Sequence, residues 1–238
     1  MNPDFKQIGR IVGALLLAQA LIAIPVYTEI GMMSSVISSN FLTEAAGNAT
    51  KIRMALVLTF LLAGLTLAVA LVALRVFRAA SERMFWLYFG LAVAGLATAA
   101  MESVVVREML TMSINYPQSG RAGLYDALAP VARSEWSAAH FFNLATGHVK
   151  AFVFFLILYR FRFVPGLLAG LGVVATVLST AGATAALVGV QFSYFMIVPA
   201  GLFQLAMTLW LIWRGFSEPT ITAVKSPGGG GLLGGLRK

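Results

Sequence analysis

The chain of 238 residues contains no cysteine, and only 11% of its residues are charged, whereas soluble globular chains carry about 25%. The lack of cysteine excludes disulfide scaffolds, thiol catalysis, Cys-ligated zinc and iron–sulfur clusters, because all of them need its sulfur. The scarcity of charge comes with 59% hydrophobic residues and a mean hydropathy of +0.87. This balance excludes a disordered chain, collagen and a coiled coil, and it is typical of an integral membrane protein.

Six apolar runs are each long enough to cross a hydrocarbon core of about 30 Å as a helix. A chain inside lipid must pair its own backbone groups, and none of the runs alternates in the manner of a barrel strand. We therefore expect an all-α, polytopic integral membrane protein, a bundle of six transmembrane helices over residues 11–33, 54–77, 84–106, 141–159, 164–190 and 193–213.

The first run has a second reading. Lys6 and Arg10 followed by apolar residues also match a signal peptide, with Ala18-Gln19-Ala20 as its cleavage site. The apolar run continues past that site to Val26, which favours an uncleaved first span.

The placement of Lys and Arg predicts the orientation. Most of the 17 basic residues fall at the N-terminus, at the two short connections between spans and in the tail, so both termini are expected in the cytoplasm. The net charge of +8 then reflects topology and attraction to anionic lipid, and nucleic-acid binding is not expected. We divide the chain into a six-helix transmembrane domain, 1–217, and a flexible Gly-rich cytoplasmic tail, 218–238.

The connections between the spans differ in length. The inner ones, at 78–83 and 160–163, are short enough for tight helix hairpins, and the outer ones, at about 34–53 and 107–137, are longer. Within the second outer connection, residues 123–136 are expected to form a short helix on the membrane surface that is broken at Pro130.

Polar residues inside the spans are the candidates for function, because ionisable groups are costly in lipid. On the fourth span, His140, Asn143 and Lys150 share one helical face, and Glu102 marks the polar face of the third span. We expect the two faces to meet, through a Glu102–His140 hydrogen bond or a Glu102–Lys150 ion pair. Two interpretations stay open: polar contacts that only hold the bundle together, or a small polar cavity open to the outside that binds a ligand or exchanges protons.

Several short stretches of sequence support a family resemblance. It rests on the start MNPDFKQIGRIVGALLLA, the second-span end ALVALRVFRAASE, Glu102, His140 with Gly147, and the stretches FFLILYRFRFVPGLLAGLG and PAGLFQLAMTLWLIWRGF. Over residues up to about 217 the chain resembles the mostly bacterial and archaeal membrane-protein family catalogued as domain of unknown function 4386. The resemblance implies a six-span fold in a bacterial or archaeal cytoplasmic membrane and assigns no activity. His148 and Lys150 depart from the family pattern.

The functional hypothesis is a non-enzymatic, multi-pass inner-membrane protein. Through an outward-facing polar pocket at Glu102, His140, Asn143 and Lys150, it would bind a lipid-like or small polar ligand or a membrane partner protein. The alternatives are a proton- or ion-coupled transporter and a structural subunit of a membrane complex; an intramembrane enzyme is less favoured. No catalytic residue, metal or cofactor is predicted, because Glu102 and His140 supply only two ligands where catalytic zinc takes three.

Overall fold

Eight α-helices make up the computed structural model, which describes residues 3–28, 30–118, 120, 122–190 and 194–218. Their bounds are α1 Pro3–Tyr27, α2 Ser34–Ile37, α3 Phe41–Glu44, α4 Ala49–Ala80, α5 Glu82–Asn115, α6 Ala122–Arg160, α7 Gly166–Leu187 and α8 Val198–Arg214. The described part of the chain contains no β-strand, so the predicted all-α class is confirmed. The expected tail falls almost entirely on residues 219–238, outside the described ranges.

Five of the helices, α1 and α4 to α7, are long and apolar enough to cross a membrane. They indicate a multi-pass membrane protein. The sixth predicted span corresponds to α8, which has 17 residues and is not one of the five.

The six long helices form a closed ring in which α1, α4, α5, α6, α7 and α8 each pack against the next and α8 packs back against α1. The ring closes between α1 and α8, where glycines of α1 leave no side chain between the two backbones. A Cβ added to Gly13 would lie 2.8 Å from the backbone nitrogen of Ile212. The start of α1 therefore runs beside the end of α8, and both lie at the same end of the bundle.

That end, the inner end of the bundle, is filled by aromatic rings. Phe77 of α4 packs against Tyr88, Phe154, Phe163 and Phe216, with ring centroids 5.8 to 6.0 Å apart. All five side chains are buried. Since aromatic pairs of this kind contribute favourable contact energy beyond the area that they bury, this cluster packs the inner half of the ring closely.

The inner connections are as tight as predicted. A single residue, Ser81, separates α4 from α5, and its hydroxyl accepts a hydrogen bond from the backbone N–H of Met84 at the start of α5. Arg78 and Glu82 form an exposed ion pair across this turn, 2.7 Å apart. The hairpin thus needs no loop of its own.

The opposite end carries a cap built from α2, α3 and the outer parts of α4, α5 and α6. The predicted first span, 11–33, is wrong at its C-terminal end: α1 runs from Pro3 only to Tyr27, and the chain then folds back so that the Met32 N–H donates to the Pro25 carbonyl at 2.9 Å. After the turn, the apolar side chains of Met33 and Val36 are buried in the cap. Its core consists of Val26, Met33, Val36, Phe41, Leu42, Ala45, Ile52, Ala55, Val106, Met109 and Leu110.

A second correction concerns Pro130. The expected surface helix is not separate, because α6 runs without a break from Ala122 to Arg160 with Pro130 inside it. Its 39 residues make a rod of about 58 Å, roughly twice the hydrocarbon thickness. Tyr125, Ala129 and Trp136 pack against the cap core, and these contacts offset the backbone hydrogen bond that proline cannot make.

Candidate functional site

The centre of the site is Glu102 of α5, which faces α6 and is only 3% exposed. Both of its carboxylate oxygens are used. Oε1 lies 2.9 Å from His140 Nδ1, and Oε2 accepts a hydrogen bond of 2.8 Å from Asn143 Nδ2. The predicted contact between the two polar faces is therefore present, in its Glu102–His140 form.

A second layer orients Asn143. The Thr98 hydroxyl lies 2.8 Å from Asn143 Oδ1 and 3.1 Å from the Gly95 carbonyl, and it has one proton to donate to either oxygen. With Oδ1 facing a donor, the amide nitrogen of Asn143 must point toward Glu102. Thr98, Asn143, Glu102 and His140 thus form a continuous chain of hydrogen bonds between α5 and α6.

His140 is the end of this chain that remains reachable. Its ring stacks on Trp136, one turn earlier in α6, with centroids 5.1 Å apart and an interplanar angle of 20°. An ionised Glu102 requires the proton on Nδ1. Nε2 has no hydrogen-bond partner among the described residues and is not enclosed, and the side chain keeps 18% of its surface exposed. One ring nitrogen is fixed to the buried carboxylate, and the other can meet a ligand.

Lys150 does not belong to this cluster, and the alternative Glu102–Lys150 pair is wrong. The register of the two contacts places Lys150 level with Leu91, about 15 Å further inward along α6. The ammonium group makes no hydrogen bond or ion pair with any residue that the structure describes. His140 and Asn143 already occupy both oxygens of Glu102, so Lys150 shares their helical face but not their partner.

Open space borders the inward side of the cluster. A Cβ built on Gly95 of α5 or on Gly147 of α6 would meet no atom within 4 Å. The same register puts these two glycines level with each other, one turn inward of Asn143. The polar cluster therefore lies beside space that a ligand or a lipid chain can fill.

Two side chains near the site were not expected from the sequence. Trp136 could have been found from its spacing, since residues four apart on a helix are neighbours. Tyr27, at the end of α1, has its hydroxyl 3.3 Å from Thr59 Oγ1 of α4. That contact depends on where α1 ends, which hydropathy does not indicate.

An outer groove of about 590 Å³ lies in the cap and shares no residue with the Glu102 cluster. Tyr116 and Asp126 line it, and the hydrogen bond to Asp126, whose charge opposes a phenolate, raises the pKa of Tyr116. Within the described ranges, no group of three or more His, Asp or Glu side chains is arranged to hold a metal ion.

Comparison with known proteins identifies the family. A model described as "Domain of unknown function (DUF4386)" matches residues 11–215, which is most of the chain. The chain belongs to this family. The matched range of the DUF4386 chain includes the whole ring except the start of α1, and it contains Glu102, His140, Asn143 and Lys150. No curated protein and no solved structure matches it.

Proposed function

We propose that this DUF4386 protein crosses a bacterial or archaeal cytoplasmic membrane six times, with both termini in the cytoplasm and a cytoplasmic tail after residue 217. The contact between the start of α1 and the end of α8 supports an even number of spans, because it places both ends of the ring together. The 17 residues of α8 extend about 25 Å, close to a hydrocarbon core of about 30 Å. A reporter fused to either terminus should be inaccessible from outside intact cells; labelling of one terminus alone would refute six spans.

For function, we propose that the protein binds a small polar or lipid-like ligand in an outward-facing pocket beside Glu102, His140 and Asn143, without catalysis. The observation that supports this proposal is the difference between the surroundings of the two ring nitrogens of His140. Nδ1 is held by a buried carboxylate, whereas Nε2 is reachable and has no partner among the described residues. Nε2 therefore offers a polar ligand a donor or acceptor directly beside the buried carboxylate.

The surroundings of the cluster favour binding over transport. Open space at Gly95 and Gly147 gives the ligand room beside the polar groups. Further inward, the five aromatic rings around Phe77 pack the ring closely. A ligand entering from the outside would therefore meet a closed end.

The test uses full-length protein purified in mild detergent, with the small molecules and lipids that it retains identified by mass spectrometry. Glu102→Ala and His140→Ala should lose the specific ligand. The matched controls His148→Ala, on the same helix, and Glu108→Ala, an exposed carboxylate of α5, should keep it. Identical retention in all four variants, each with its melting temperature checked, would rule out the pocket.

A proton-coupled transporter is the second candidate, and one observation favours it. Glu102 and His140 are two titratable groups in direct contact, and a carboxylate–histidine pair inside a membrane can pass a proton. Proteoliposomes with an imposed pH gradient would then take up protons or a co-substrate in a Glu102-dependent way. If no flux were detected over a broad substrate panel, the transport hypothesis would be rejected and only the binding function would remain.

A further inference from the structure

A second groove, distinct from the Glu102 site, lies between the outer parts of α4 and α5. It has a volume of about 520 Å³, and Arg53 of α4 and Arg107 of α5 line it together with Thr111 and the apolar side chains of Leu56, Val57, Leu110 and Ile114. Both arginines are exposed. Neither forms an ion pair with a carboxylate of the described chain.

The depth of the two guanidinium groups follows from the length of α5 together with the apolar runs. Arg107 lies about 38 Å along α5 from Glu82 at the inner turn, just beyond a hydrocarbon core of about 30 Å. The apolar run of α4 begins at Met54 and that of α5 ends at Val106, which places both arginines at the same edge. This is the level of lipid phosphates. Membrane topology does not explain these two arginines, because the positive-inside rule places basic residues on the opposite side of the membrane.

Below the arginines the surface turns apolar. On the α4 face that carries Arg53, Val57, Phe60 and Leu61 lie one and two turns further inward, and they are 70%, 59% and 49% exposed. On α5, Val104 lies one turn inward of Arg107 and is 55% exposed. The groove thus presents two cations at headgroup depth and an apolar strip beneath them.

We propose that this groove binds one anionic phospholipid, with its phosphate between Arg53 and Arg107, its polar headgroup near Thr111 and its acyl chains along the apolar strip. A guanidinium group offers paired N–H donors that match phosphate oxygens. Two arginines line this groove, and none of its described lining residues is a carboxylate. The apolar strip is what selects a lipid over free phosphate. This assignment shares no residue with the proposed ligand pocket and does not depend on it.

The test compares full-length protein incubated with equimolar phosphatidylglycerol and phosphatidylcholine, with the bound lipid counted by native mass spectrometry. Wild type should retain phosphatidylglycerol preferentially. Arg53→Gln and Arg107→Gln should each weaken that retention about five-fold, which corresponds to about 1 kcal/mol per juxtamembrane basic residue, and the double variant should weaken it further. Melting temperatures in phosphatidylcholine alone should not change, because both side chains are exposed.

The matched control is the double variant Lys51→Gln with Arg133→Gln, which removes the same charge from the same side of the membrane outside the groove. It should retain phosphatidylglycerol as wild type does. An equal loss in this control would reduce the effect to diffuse surface charge and overturn the site. Equal retention of the two lipids by wild type would overturn it as well. If inorganic phosphate raised the melting temperature as much as phosphatidylglycerol does, in an arginine-dependent way, the ligand would be free phosphate and the lipid assignment would be wrong.

Discussion

Replacing Gly9 by alanine tests the contact that closes the helix ring. Gly9 lies on α1 where the end of α8 crosses it. An added Cβ would lie 2.7 Å from the Gly215 carbonyl carbon and 2.8 Å from its Cα, and it would also meet the backbone nitrogen of Phe216. These are backbone atoms, which cannot rotate away as the end of a side chain can. The helices must therefore separate to accept even a methyl group.

The size of the effect follows from two opposing terms. Ordinary van der Waals contact begins at 3.4 Å, and overpacking of a well-packed interface costs about 1–3 kcal/mol, with the upper end expected for a clash against backbone. Alanine returns about 1 kcal/mol through its higher helix propensity. The net expectation for Gly9→Ala is a loss of about 2 kcal/mol. At Gly64, where an added Cβ meets nothing within 4 Å, only the propensity gain remains, about 1 kcal/mol.

The two variants should therefore differ by about 3 kcal/mol in unfolding free energy. Reversible unfolding of the purified protein by SDS in mixed micelles, followed by tryptophan fluorescence, measures this difference. If Gly9→Ala proved as stable as Gly64→Ala, α1 and α8 would not be in backbone contact. The closed ring, and with it the structural support for six spans, would then be wrong.

Three further predictions concern the site and the inner core. Glu102→Ala should lower the unfolding free energy by about 1–2 kcal/mol, because it removes two interhelical hydrogen bonds, and the exposed Glu108→Ala should leave it within about 0.5 kcal/mol; equal effects in the same SDS titration would mean that the network does not hold the helices. Gly147→Leu should fill the space beside Asn143 and abolish ligand retention at unchanged melting temperature, whereas Gly90→Leu, also beside open space, should retain the ligand, and retention by both would contradict the pocket. Phe77→Ala should cost about 3–5 kcal/mol, and a smaller loss in the denaturant titration would show that the inner aromatic cluster is loosely packed.

Much of the site could be predicted from the sequence because an α-helix has a fixed period. His140 and Asn143 share a face at that period, and Glu102 is costly enough in lipid to require a partner. Inner and outer connections alternate along the chain, so α5 and α6 run in opposite directions, and their two polar faces could be matched by depth. The same argument wrongly paired Lys150 with Glu102, because a shared helical face does not determine which residues bind the two carboxylate oxygens of Glu102.

The sequence by itself determined the membrane class, the helices and their tight inner turns. A backbone in lipid must satisfy its own hydrogen bonds, and hydropathy identifies the segments that are apolar enough to lie there. Only the tertiary structure decided where α1 stops, that α6 continues through Pro130, and that Arg53 and Arg107 line one groove. Each of these depends on contacts between residues far apart in the chain. Burial in a protein core and burial in lipid select the same apolar side chains, so hydropathy alone does not distinguish the cap from the spans.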